Sequence, residues 1–222
     1  MNKIEIRKII TPESQYETDV FFIDGIPLYE YFERWFSENP DLKKMIKVRD
    51  WTDLKPFDYY DICWTDEYDW EGDARFMRYV LAQKKAITPI LSCPDDFDFS
   101  CILFVADVEK TADRVLWRRI GKVNHSGESF EEEKKYGILY VDGYSEEDWN
   151  RYGDNIALAK VDTPEFNEWV AENWSEELYR RRINYTFPYY QDETHIDWIK
   201  DCAFEFDRKE YDQVVDMCYN KN

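Results

Sequence analysis

One stretch of this chain limits its fold more than any other. Cys101 to Val108 is nearly all apolar, and such a run reads as a strand buried on both faces. Arg114 to Ile120 pairs with it through a turn near Thr111–Asp113. On its other flank, Ile87 to Cys93 reads as a strand. Pro89 removes a ladder donor there, which places that strand at an edge. Gly137 to Val141 gives a further strand. Near the start, Ile4, Ile6 and Ile9 mark a short strand and Val20 to Ile23 a second, closed by the turn signal Asp24-Gly25.

Helices sit at both ends of this strand series. Leu28, Tyr31, Phe32, Trp35 and Phe36 recur at helical spacing, with Pro27 in the first turn and Asn39-Pro40 as the stop. Residues 41–70 read as irregular, with Trp51, Trp64 and Trp70 as anchors. Phe76, Met77, Val80 and Leu81 form one face of a second helix. Thr163-Pro164 starts a helical last third carrying Phe166, Trp169, Val170, Trp174 and Leu178. Phe204 and Phe206 alternate as a short strand. Asp207 with Glu210 makes a capping-box pattern for a closing helix whose stripe is Tyr211, Val214, Val215 and Cys218. The expected fold is α+β, a mostly antiparallel sheet flanked by helices in a single domain of residues 1–222, with a possible lobe boundary at 124–133.

Composition narrows the function. The 222 residues carry 48 acids against 29 Lys and Arg, a net charge of −19. Hydrophobic residues at 44 % and aromatics at 18 % argue for a packed core despite that charge. Duplex binding gains affinity by setting cations against phosphates, so nucleic acid is an unexpected partner, and anionic membrane is disfavoured for the same reason. The clusters Arg118-Arg119 and Arg180-Arg181-Arg182 are short and flanked by acids. The longest apolar run, Cys101 to Ala106, is far below the ~20 residues of a membrane-spanning helix. The first residues lack a signal-peptide core, and five Cys show no disulfide spacing; both point to a cytoplasmic location.

Familiar catalytic signatures are missing. There is no Gly-x-Ser-x-Gly elbow, no P-loop and no Gly-x-Gly-x-x-Gly, and seven glycines leave little material for phosphate cradles. No cofactor is expected. His125 and His195 are the only histidines, and each reads as an ordinary surface or partly buried residue. Cys93 and Cys101 are expected to meet near a strand–loop–strand junction as small buried residues, with a redox pair as the sharper reading. Cys63, Cys202 and Cys218 read as packing.

The unusual stretch is 58–73, DYYDICWTDEYDWEGD, with seven acids, five rings and no base. A solvated charged face pinned by its rings is one reading. The other is a binding surface: Tyr and Trp are interface anchors, and carboxylates around them steer a basic partner. The candidate contact residues are Asp58, Tyr59, Asp61, Trp64, Asp66, Glu67, Tyr68, Asp69, Trp70, Glu71 and Asp73.

Four motifs carry a resemblance: Ile23-Asp24-Gly25-Ile26-Pro27-Leu28; Ile90-Leu91-Ser92-Cys93 followed by an acidic loop and Cys101; Val115-Leu116-Trp117; and Phe204-x-Phe206-x-x-x-x-Tyr211. Together they resemble an uncharacterised acidic bacterial family with a Cys-containing hairpin, which is similar to the immunity partners of polymorphic toxins. The loop 94–100 departs from the family's Gly-rich form. The resemblance implies a non-enzymatic interaction protein in the manner of an immunity protein and carries over no catalytic residue; the carboxylates and rings of 58–73 point to a basic partner, such as a nuclease toxin. A carboxylate- or metal-dependent hydrolase is the alternative, marked by a concave site with carboxylates of raised pKa. A DNA-mimic inhibitor is the third reading.

Overall fold

The apolar run at the centre of the sequence is the centre of the sheet. A computed structural model describes residues 1–13, 16–42, 56–65, 73–94, 102–124, 176, 179, 183 and 186–219. The first sheet has three antiparallel strands in sequence order: β1 (Ile4–Ile10), β2 (Glu17–Ile23) and β3 (Ile26–Pro27). The second has five in the order β4 (Asp61–Ile62), β5 (Lys85–Ser92), β6 (Leu103–Lys110), β7 (Arg114–Val123) and β8 (Ile196–Asp207), again all antiparallel. Helices α1 (Leu28–Glu38), α2 (Asp73–Ala82), α3 (Phe187–Gln191) and α4 (Arg208–Tyr219) complete the described elements of an α+β fold. No helix among them is long and apolar enough to cross a membrane.

On β6 every residue from Leu103 to Val108 is buried, so neither face meets water. Sequential neighbours cover its two edges. β5 stands inside the strand order, whereas Pro89 predicts an edge. The difference has a local cause. β4 reaches only Leu91 and Ser92, so β5 has no strand neighbour on that side at Pro89. Other groups complete that side. The Gln191 side chain accepts the Ile87 N–H at 2.7 Å and donates to the Ile87 carbonyl at 3.0 Å. The Trp64 indole donates to the Pro89 carbonyl at 2.8 Å. Proline is tolerated because the strand is locally an edge and bulges just after it.

The two sheets approach at both sides of the β1–β2 hairpin. The Asn2 N–H donates to the Glu205 carbonyl at 2.5 Å, and Asn2 Oδ1 accepts the Glu205 N–H at 2.9 Å, fastening the hairpin to β8. On the opposite side the Thr18 hydroxyl donates to Asp61 of β4 at 2.7 Å. Between them lie stacked and edge-to-face rings. Trp64 meets Phe21 at 4.8 Å and Tyr211 at 5.6 Å, and the Trp117 indole donates to the Tyr211 hydroxyl at 3.2 Å. Phe104 meets Phe32 and Tyr60, each at 5.0 Å. Each such pair adds about 0.5–1.5 kcal/mol beyond the area it buries.

Local rules explain the element ends. Asp24 and Gly25 take φ of 53° and 79°, the two left-handed residues of a tight hairpin turn joining β2 to β3. Pro27 lies one position before α1, in β3, rather than inside its first turn. Helix α1 then buries Leu28, Phe32, Trp35 and Phe36. At α4 the Asp207 carboxylate accepts the N–H groups of Lys209 at 2.9 Å and Glu210 at 3.0 Å, the cap its sequence predicts. β8 is twelve residues long, well beyond the short Phe204–Phe206 alternation. The expected strand at 137–141, the helix after Thr163, the boundary at 124–133 beyond Asn124, Trp51, Trp70 and the Arg180–Arg182 cluster lie outside the described residues.

Candidate functional site

The acid–aromatic run divides at Thr65. Its first half turns inward. A 3-10 turn at Phe57–Tyr59 buries the Asp58 side chain, whose Oδ2 accepts the Glu13 N–H at 3.0 Å. The Asp58 carbonyl accepts the Thr11 hydroxyl at 3.1 Å. Asp61 takes the Thr18 hydroxyl as described. These two acids therefore hold the β1–β2 connection against β4. Tyr59 is half-buried against Tyr60. Trp64 is wholly buried, and a side chain with no exposed area offers a partner no surface. Asp66, Glu67, Tyr68, Asp69, Trp70 and Glu71 lie outside the described residues. Asp73 opens α2, where Ala74, Phe76 and Met77 return to the core.

The sheet carries a second polar feature that the sequence reading missed. Asp107 is almost fully buried on β6 and faces a bulge in β7. Ala106 pairs with Ile120 and Val108 with Trp117, so Asp107 stands opposite both Arg118 and Arg119. Its two oxygens accept from Arg118 Nη2 at 2.9 Å and Arg119 Nε at 3.0 Å. Arg119 also meets Glu193 at 2.7 Å and lies 3.9 Å over the Trp198 ring. Hydrogen bonding to Glu193 and Asp107 pushes the Arg119 pKa up. The arginine pair is thus neutralised from within and offers phosphate no bare cation.

Asp24 and Asp192 are held below the ordinary carboxylate range by N–H and hydroxyl donors, Glu5 by Lys3 and Arg7, Glu176 by Arg75 and Asp113 chiefly by Thr111. The carboxylates displaced among the described residues all move down, whereas the hydrolase alternative anticipates carboxylates moved up. Burial pushes the Cys202 thiol up to about 11, which keeps it protonated and unreactive at neutral pH. Cys93 is buried and its N–H donates to the Ile102 carbonyl at 3.0 Å; Cys101, its expected neighbour, lies outside the described residues. His195 stacks on Tyr189 at 4.0 Å with Nδ1 3.0 Å from the Tyr189 carbonyl, a structural placement; His125 lies outside the described residues. No three His, Cys, Asp or Glu side chains among the described residues group to hold a metal ion.

Lys110 is the unusual ionisable group. It is buried, its ammonium donates to the Leu81 carbonyl, and it lies 5.6 Å over the Tyr211 ring. Burial, aided by nearby Arg208, pulls its pKa down to about 8.

No family model, curated protein or solved structure matches the chain. The likeness to immunity proteins therefore rests on the four short motifs alone.

Proposed function

We propose that this protein acts by binding, as the acidic partner of a basic protein, in the manner of an inhibitor or of a toxin's immunity protein. The observation that supports this reading is the way the chain uses its cations. Arg7, Arg75, Arg114, Arg118, Arg119 and Arg208 each meet a carboxylate of the chain itself. The whole chain nevertheless stands at −19. The surplus is acid without internal counter-charge, and its field repels phosphate and attracts cations.

Within this reading the contact is the run from Asp66 to Asp73. Its flanks are fastened: Trp64 sits in the core on one side, Ala74 and Phe76 on the other. Fastened flanks lower the ordering cost of binding through the segment between them. Asp66, Glu67, Asp69, Glu71 and Asp73 supply steering charge, and Tyr68 and Trp70 supply contact area.

Affinity capture from native lysate at low and high salt, with protein carrying D66N, E67Q, D69N and D73N as the comparison, tests the reading. A basic protein is expected that elutes as salt rises and is lost from the neutralised variant. Failure to recover a basic protein, or capture indifferent to both salt and neutralisation, overturns it.

A further inference from the structure

Helix α2 follows the acid–aromatic run and is met along its length by residues from far down the chain. Tyr79 meets the Phe187 ring at 5.3 Å, and Phe76 meets Tyr190 at 6.5 Å. One turn nearer the run, Arg75 makes the same kind of contact. Its guanidinium donates to both oxygens of Glu176, at 2.6 Å and 3.0 Å, and lies 3.8 Å from the centre of the Tyr179 ring. Arg75 and Tyr79 stand four positions apart, so they share one face of the helix.

The place of this ion pair matters more than its strength. The Glu176 side chain is 80 % exposed, and a pair so open to water adds little to stability. Arg75, however, is the first base after the run. It lies two residues past Asp73, and no base occurs from 58 to 73. A bare cation there would repel a basic partner at the edge of its contact. Two opposite charges held this close act as a dipole, whose field dies away faster than that of a lone charge. With Arg75 offset, the field at that end of the run is set by the run's own acids.

We propose that Glu176 is a positioning residue for the basic partner: its two-oxygen grip on Arg75 cancels the cation at the end of the run and so favours basic over acidic proteins. The inference rests on the basic-partner reading above. It extends that contact from one continuous run to a residue 101 positions from Arg75 in the chain. Charges at the rim of an interface act chiefly on the association rate and its salt dependence, so the effect belongs to encounter rather than to the lifetime of the complex.

Stopped-flow association of a fluorescent ten-residue lysine peptide with the full chain at low salt tests this. Glu176→Gln should slow association by about twofold, Arg75→Gln should speed it by about twofold, and the double variant should return to the wild-type rate. The same charge changes in the bridge between β7 and β8, Arg114→Gln and Glu205→Gln, control for net charge and should shift the rate less. All these differences should fade as salt shortens the screening length below about 10 Å. Single variants of Arg75 and Glu176 that leave the rate unchanged or shift it in one direction overturn the proposal. So does a double variant as slow as Glu176→Gln, or a β7–β8 pair that shifts the rate as far. A peptide that does not associate, or that associates equally fast when Asp66, Glu67, Asp69 and Asp73 are neutralised, overturns the basic-partner reading along with it. Slower association on that neutralisation, with no opposed response at Arg75 and Glu176, removes this inference alone.

Discussion

Two segments of this protein mix rings and acids and end in opposite surroundings. Residues 57–65 lie folded into the molecule, with Phe57, Tyr60 and Trp64 buried and the Asp58 and Asp61 carboxylates accepting hydrogen bonds from the chain. The end of the β1–β2 hairpin, a few residues away across those same bonds, holds Ile10 and Tyr16 in solvent beside Glu13 and Glu17. Composition alone does not separate them. What separates them is whether each polar group finds a donor inside. Asp58 can be buried because the Glu13 N–H is waiting for it; Glu13 and Glu17 stay out and contribute to the field instead.

Stability measurements can break this comparison. The largest effect belongs to Trp64→Ala, which empties the site between Phe21, Trp117 and Tyr211 and abandons the bond to Pro89. Denaturant unfolding should show a loss of about 3–5 kcal/mol. A loss below 1 kcal/mol would place Trp64 outside the core.

Lys110 tests burial without a carboxylate in contact. Its folded pKa of about 8 lies below the 10.5 of an ordinary lysine, so the unfolded chain binds the extra proton between those values. This residue's contribution to stability should therefore rise with pH from about 8 to 10.5 and be flat below 8, by roughly 3 kcal/mol at most. The difference in unfolding free energy between wild type and Lys110→Met isolates it: the wild type should gain on the variant across that window. A difference that does not change with pH contradicts the buried ammonium.

Gly121 sharpens the sheet side of the comparison. A Cβ there would lie 2.6 Å from Ile196 Cγ2 and 2.9 Å from the Asp197 carbonyl, so Gly121→Ala should cost about 1–3 kcal/mol in the same assay. Asp58→Ala, which strips the Glu13 N–H of its acceptor, should cost about 1–2 kcal/mol. Tyr16→Ser should change stability by less than about 0.5 kcal/mol, since the side chain is 79 % exposed. A ranking with Tyr16 above Asp58 would reverse the assignment of inside and outside.

Much of the frame was legible in the sequence, and the reasons are local. The apolar run of β6, the heptad-like spacing of α1, the Asp24-Gly25 turn and the Asp207 cap each carry their signal within a few residues. Trp64 reads correctly as an anchor. What failed to show depends on irregular pairing. On β8, Cys202 and Ala203 stand opposite the single residue Arg118, and Ala203 takes a φ of 49°. That bulge breaks the period-two alternation, so only Phe204 and Phe206 beyond it look like a strand. The bulge of β7 likewise turns two adjacent arginines onto one aspartate, which an alternating strand does not do. The hairpin end was invisible for a different reason. An isolated Ile or Tyr among polar residues has no pattern, and its exposure is a property of the folded surface alone.

Uncompensated acid on a folded frame is proposed to recruit a basic protein. Stopped-flow association of the captured partner, followed as ionic strength rises, addresses it most directly. The association rate is expected to fall steeply with salt while the dissociation rate changes little, and neutralising Asp66, Glu67, Asp69 and Asp73 is expected to flatten the slope. An association rate indifferent to salt, or a slope unchanged by neutralisation, would contradict it.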